Sequence, residues 1–430
     1  MEAPSGISYD SLYGRCGVYF ESLPDVRAKN SSVRLRDYLV GAMALFALKY
    51  PSLLALDQSR TRDEECNLKK LFGLNRIASD TSMREVLDEV APQSLHGLFD
   101  QVNGQVAEQG HLKGYEVLGG HLLVPMDGVE FFSSTQVHCP YCQVKKSRSK
   151  NAAVHYSHAM LAAVIAKPDH SQVLPLGCEP ISKQDGAKKN DHELQAARRL
   201  WERLWAAHGD QKFLHGGDAL FANGPMARAI EQAGHSYLFT VKPDSNESLF
   251  AHRSGQGQYY KHYSQKVGQD HWSLSWSNGL ALNNASADVR VGFVLLEVTD
   301  AKGKVSKFSW ATNLKVSKGN VLEIARCGRA RWKIENETFN TLKNQGYQFE
   351  HNYGHGKKNL SNVLATLMLL AFLIDQIQEL ASKPFITVLK MVKTRRRLWE
   401  EFRAVFSYRE VNSFKHLLAT IAKSHSFSGT

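Results

Sequence analysis

The sequence predicts an α/β fold, a mixed sheet flanked by helices, and three observations lead to it. Residues 1 to about 115 place apolar positions at helical spacing, and no strand pattern appears there. From Gly119 onward short β-like runs take over and then alternate with helix patterns. From Pro243 to about Lys318 the pattern is strand-like without a helix, and helix returns after it.

Taken in order, Arg34 to Leu48 reads as an amphipathic helix. Ser79 or Asp80 caps a helix that runs on through Arg84 and Glu85, and a further helix extends from about Pro92 to Gln109. The first strand is Gly119 to Phe132, followed by strands at Ala152 to Ile165 and Gln172 to Leu176. Short links let these three pair antiparallel. A helix from about Asp191 to Ala207 follows, with Asn190 as its cap and Glu193 three residues on. Gln211 to Gly216 is a short strand ending at Gly217-Asp218, a helix starts at Pro225, and Ser236 to Lys242 is a strand. These two strands sit beside helices, which suits parallel addition to the sheet. Trp272 to Trp276, Val289 to Val298 and Ser306 to Thr312 are the strands of the β-rich stretch. Helices follow over about Val321 to Asn344 and Leu360 to Leu380, and then a basic terminal part.

Composition narrows the function classes. The chain of 430 residues has a hydrophobic content of 43%, enough for a sizeable core, and a formal net charge of +11, which suits a polyanion such as nucleic acid. Six cysteines in a chain this long do not make a secreted disulfide framework, so a reducing cytoplasm is expected. Met1 to Tyr9 has neither an apolar core nor a basic run, so no signal peptide is expected. The most apolar stretch, Val363 to Ile374, is shorter than the roughly 20 residues of a spanning helix and reads as core, with no membrane as partner.

Three carboxylates stand out. Asp127 interrupts an apolar strand, on a face that also carries Leu123, Val129 and Phe131, and Gly128 follows it. A charge there is costly unless it is paired or binds metal, although a strand-end Asp-Gly turn has the same sequence. Asp218 follows two glycines at a strand's carboxyl end, where ligands of open α/β sheets gather; an ordinary Gly-Asp turn reads the same. On the helix from Arg331 to Lys343, Trp332, Ile334, Thr338, Phe339 and Leu342 define an apolar face. Glu335 falls near its centre, with Arg331 one turn earlier. Glu335 is therefore either a site residue or half of a buried Arg331–Glu335 pair, and Glu337 is the alternative if the helix phase is different. Glu179, Asp185, Asp191 and Glu193 read mostly as capping acids, with Asp185 and Glu193 as outside candidates for metal.

The order of these acids resembles the ribonuclease H-like core of DDE transposases: Asp on the first strand, Asp after the fourth, Glu on the helix after an insertion. It is similar in particular to those of bacterial insertion sequences with a β-rich insertion before the Glu. Asp218 lies 91 positions after Asp127, and Glu335 lies 117 after Asp218, the longer gap being what such an insertion produces. The group's Tyr-x2-Arg-x3-Glu-x6-Lys signature is met by Arg331 and Glu335. The Tyr position holds Gly328 and the Lys position Leu342, with Lys343 one residue later, so roles tied to that Tyr and Lys do not carry over directly. The resemblance covers about residues 119 to 380, and the Asn352-Tyr-Gly-His-Gly and Asp80-x2-Met-Arg-Glu segments also look similar to those of transposase-like reading frames.

The resemblance implies that Asp127, Asp218 and Glu335 form the catalytic site and hold Mg²⁺ or Mn²⁺. Double-stranded DNA would be the substrate, both element ends and target, bound by a homodimer associated with the bacterial nucleoid. It divides the chain into a helical DNA-binding domain (1–115), a catalytic core (116–242 and 319–380), the β-rich insertion (243–318) and a basic helical region (381–430). Arg331 would contact phosphate or orient Glu335, and Lys343 would contact DNA. Two further readings stay open: another metal-dependent endonuclease on the same fold, or a non-catalytic zinc-stabilised DNA-binding protein.

Cys139 and Cys142, with His155 and His158, give Cys-x2-Cys-x12-His-x2-His, a spacing that suits Zn²⁺ except at its last interval. A strand over 152–165 would point the two histidines to opposite faces, so two reduced thiols in a loop are the alternative. Lys145, Lys146 and Arg148, and further on Arg395, Arg396 and Arg397, are basic runs that would grip phosphates or simply be solvated. The aromatics Tyr259, Tyr260, Trp272 and Trp276 read as core rather than as base-stacking platforms.

Overall fold

The structure is a computed structural model and describes all residues except 1–5, 26, 28–30, 61–63, 147–152, 182–191, 251–259, 352 and 427–430. Its centre is an eleven-stranded mixed sheet. The strands are β1 (Glu116–Val117), β2 (His121–Ser134), β3 (Gln143–Lys146), β4 (Val154–Ile165), β5 (Leu174–Ile181) and β6 (Lys212–Gly217). Then come β7 (Ser236–Thr240), β8 (Lys261–Val267), β9 (Asp270–Ala281), β10 (Arg290–Thr299) and β11 (Val305–Thr312).

The expected pairing is present. β4 lies antiparallel between β2 and β5, while β6 joins β2 in parallel and β7 joins β6 in parallel. The order β5-β4-β2-β6-β7 is thus three antiparallel strands followed by two parallel ones, the ribonuclease H-like arrangement. The later strands do not form a separate layer: β11 pairs antiparallel with β7, so β8 to β11 extend the same sheet outward.

Each face of the sheet carries its own core. Leu123, Leu214, Leu238, Trp276, Val294 and Trp310 pack under the Val321–Ala330 helix. Leu122, Val124, Met126, Phe213 and Phe239 belong to the larger core, which includes the N-terminal helices and those after residue 359. The alternation of Leu122, Leu123 and Val124 between the two is the period-2 pattern of a strand covered on both sides. Val129 and Phe131, expected on the face of Leu123, join the larger core instead, so Asp127 stands where β2 passes from one core to the other.

The helix Leu360–Ala381 is long and apolar enough to cross a membrane, but 94% of its most apolar window is buried within the protein. It is the core helix that its sequence predicts. Deep inside, its Asp375 accepts hydrogen bonds from Tyr9 (2.6 Å), Lys49 (2.7 Å) and Tyr347 (2.5 Å).

Three expectations need correction. The helix from 193 starts at Glu193, after His192, whose side chain does not cap the helix, while Asn190 lies outside the described residues. The helix expected over 321–344 is broken: it ends at Ala330, turns at Arg331 and Trp332, and resumes as a π-helix, Ile334–Phe339. As a result Trp332 is exposed rather than part of the apolar face, whereas Ile334, Thr338, Phe339 and Leu342 are buried as expected. The turn leaves Arg331 bonded to Asp127 on the neighbouring strand, a tertiary contact that overrides helical periodicity.

Candidate active site

Asp127 occupies β2 two residues beyond Pro125, which pairs with Gly216 of β6; Asp218 lies two residues beyond Gly216. The parallel pairing ends at Pro125 and Gly216, so both acids lie just past it, and Glu193 stands within electrostatic reach of each. Asp218 begins the loop after β6, and its Oδ1 accepts the Leu220 N–H at 2.8 Å.

Glu335 comes to the same place from the other side of the sequence. Arg331 Nη2 donates to Glu335 Oε1 at 2.9 Å, and Nη1 to Asp127 Oδ2 at 3.3 Å. The guanidinium is 10% exposed, against 22% for Asp127 and 36% for Glu335, so it is a wedge beneath two carboxylates that open to solvent. The i, i+4 pair anticipated from sequence exists, and it is joined to Asp127 as well. The π-turn, a feature frequent at functional sites, carries Glu335.

A fourth acid belongs to the group. Glu193, in the first turn of the Glu193–Ala207 helix, lies over Gly128: a Cβ built at position 128 would be 2.4 Å from Glu193 Oε1 and 2.6 Å from its Cδ. Gly128 is thus needed for the close approach of a carboxylate. In sequence Glu193 resembles any acid at a helix start; only the packing of that helix over β2 distinguishes it.

The electrostatics reflect this crowding. Burial first, then a hydrogen bond with Glu335 and the charges of Glu335 and Glu193, push the Asp127 carboxyl up to about 7, against the opposing pull of Arg331. Burial and the charge of Asp218 raise Glu193. Oxygen-rich and short of positive charge, the group has the donor chemistry that hard divalent cations select. Glu337 lies elsewhere, in a groove of about 630 Å³ with Trp272, Arg326, Arg329, Trp332 and Lys333.

The expected DNA-contacting residues are scattered. Lys145 pairs with Glu130 (2.7 Å), Lys343 with Glu350 (2.7 Å) and Arg397 with Glu401 (3.0 Å). Arg396 is exposed, 3.6 Å from Glu400, and Lys146 is exposed on β3. Arg395 is instead held inside by Glu379 at 2.7 Å. Arg148 lies outside the described residues.

The ligand set expected around the cysteine pair also needs correction. His155 is exposed on β4, and alternation turns it away from His158. Cys139, Cys142 and His158 gather instead with His355, all four buried and their ligand atoms within 4.8 Å of one another. Hydrogen bonding with Cys142 and then the two histidines hold the Cys139 thiol down to about 2, despite burial. His355 lies 213 positions beyond Cys142, and no spacing rule reaches that far.

A family model for the transposase DDE domain matches residues 135–373, more than half of the chain. The match takes in Asp218, Glu335 and the β8–β11 strands and begins just after Asp127. No curated protein matches the chain. With a ribonuclease H-like sheet and the transposase DDE domain matched over more than half of its length, this chain belongs to the DDE transposase family.

Proposed function

We propose that this chain is the transposase of an insertion sequence, and that it cuts DNA at the element's ends and joins them to target DNA. Asp127, Asp218 and Glu335 would hold Mg²⁺ or Mn²⁺. The observation that carries the reading is the convergence of Asp127 and Glu335 on Arg331, with Glu193 within electrostatic reach of both Asp127 and Asp218. Bound there, divalent metal supplies charge neutralisation at the phosphate and activation of the attacking oxygen.

The chain's own residues do the positioning. Arg331 fixes the spacing of Asp127 and Glu335 and offsets part of their repulsion. Glu193 adds a carboxylate over Gly128 and can accept a proton at Oε1. Beside the Glu335 segment, Arg326, Arg329, Trp332 and Lys333 line a groove with a basic, partly aromatic wall suited to a DNA backbone. Arg329 lies over the rings of Trp272 (5.4 Å) and Phe308 (4.8 Å), which hold its charge in that wall. A homodimer would bring two ends together.

The test is strand joining. Duplexes ending in the terminal sequences that flank the gene, pre-cut at the 3′ end, are incubated with target plasmid and Mg²⁺. Joined product that disappears with EDTA supports a transposase. Cleavage of uncut duplex without joined product points to a plain endonuclease, and DNA binding with neither product overturns the enzymatic reading.

A further inference from the structure

Outside the carboxylate site, one cluster has the chemistry of a second metal centre. Cys139 Sγ and Cys142 Sγ are 3.8 Å apart, and each is 3.4 Å from His158 Nε2. Cys142 Sγ is 3.3 Å from His355 Nε2. A tetrahedron with metal–sulfur bonds of about 2.3 Å and metal–nitrogen bonds of about 2.0–2.1 Å has edges of about 3.8 Å between sulfurs and about 3.6 Å between sulfur and nitrogen. The observed edges match the first and fall slightly inside the second.

We infer that the chain binds one zinc ion in a closed Cys₂His₂ site made by Cys139, Cys142, His158 and His355, and that this ion is structural. Two thiolates and two imidazoles in tetrahedral array select zinc over hard cations. Four protein ligands, all buried, leave no position for water or substrate, which separates a structural ion from a catalytic one. The backbone is arranged for it too. Cys142 N–H donates to the Cys139 carbonyl (3.2 Å), and Cys139 N–H donates to Cys142 Sγ (3.4 Å), making a compact knuckle. His355 Nδ1 lies 2.9 Å from the Gly356 carbonyl, a bond that puts its proton on Nδ1 and leaves Nε2 free to ligate.

The site connects parts of the chain that the carboxylate centre needs in register. His158 is on β4, which pairs with β2 through Asp127 and Ala162. His355 lies in the segment between the Glu335 π-helix and the Leu360–Ala381 helix. That segment is tied again immediately afterwards, where the Asp88 carboxylate accepts the N–H groups of Lys357, Lys358, Asn359 and Leu360. Zinc therefore clamps the Glu-bearing segment to the Asp-bearing sheet.

Metal analysis of the full chain, purified without chelator, tests this. About one zinc per chain is expected in the wild type, in His155→Ala and in Asp127→Ala; Cys142→Ser and His355→Ala should fall at least fivefold. Zinc retained by His355→Ala but lost by His155→Ala overturns the ligand set. A wild type that stays metal-free after incubation with zinc overturns the site. If the ligand variants do not fold, Co²⁺ exchanged into the wild type decides: intense visible bands with thiolate charge transfer support the tetrahedral site, and the weak spectrum of octahedral cobalt refutes it. Strand joining plays no part in these readouts, so a failure here is distinct from a failure of the transposase reading.

Discussion

Asp127 is held in a place that suits neither a neutral nor a fully charged carboxylate. Burial and two neighbouring acids raise its pKa to about 7, while Arg331 restrains the rise. The sign of the linkage follows. A carboxyl whose folded pKa is raised binds more protons in the folded than in the unfolded state between about pH 4 and pH 7, so its contribution to stability falls as pH rises through that window. Asp127→Asn should therefore raise Tm by about 1–3 °C at pH 7.5, less at pH 5, while abolishing activity. A thermal melt at the two pH values checks it, and a lower Tm at pH 7.5 would contradict the crowded site. Arg331→Lys should not substitute for the wild-type residue, because an ammonium cannot span both carboxylates as the planar fork does. Stability should fall by about 1–3 kcal/mol in urea unfolding. Asp127 could be found from sequence because it interrupts an apolar strand, and the Arg331–Glu335 spacing predicted their pairing. Glu193 was only an outside candidate in the sequence and His355 was not one at all, since each meets its neighbours by packing against residues distant in the chain.

At the scale of elements, the segment around Glu335 departs most from its sequence pattern. Helical phase placed Glu335 correctly between buried neighbours but also placed Trp332 among them, and Trp332 is exposed. The turn at Arg331 and the wider π-turn change the phase, and both follow from the guanidinium reaching Asp127. The same element explains why position 328 is glycine in this chain. A Cβ there would lie 2.3 Å from the buried Trp310 ring of β11, so indole fills the space a larger residue would need. Gly328→Ala should cost about 1–3 kcal/mol by overpacking, measured by chemical denaturation. Gly328→Tyr should not give folded protein, and a folded, active Tyr variant would show that the Trp310 contact is dispensable.

Across the whole molecule, the N-terminal helices and the sheet are built around shared interior contacts. Asp375 draws Tyr9 from the first helix, Lys49 from the turn after the Leu35–Ala47 helix and Tyr347 from the segment after Glu335 onto one carboxylate, with both charges almost wholly buried. Removing one partner leaves the other uncompensated, so Lys49→Met should destabilise by about 3–5 kcal/mol, whereas a Lys49→Met/Asp375→Leu pair should recover much of that. Equilibrium unfolding of the two variants separates the cases. That three antiparallel strands are joined by two parallel ones was legible in the sequence, because strand-only and strand–helix stretches differ in period. That β8–β11 extend the same sheet was not, because edge-to-edge pairing of β11 with β7 leaves no periodic trace. At this scale the proposed function requires that strands and π-helix bring Asp127, Asp218 and Glu335 to one divalent-metal site. The direct measurement is Mg²⁺-dependent cleavage of element-end DNA by single alanine variants, with DNA affinity followed in parallel by fluorescence anisotropy. Each of the three should lose at least about 100-fold in rate with affinity nearly unchanged, and Glu337→Ala should stay active. Near-wild-type cleavage by Asp218→Ala or Glu335→Ala would contradict it.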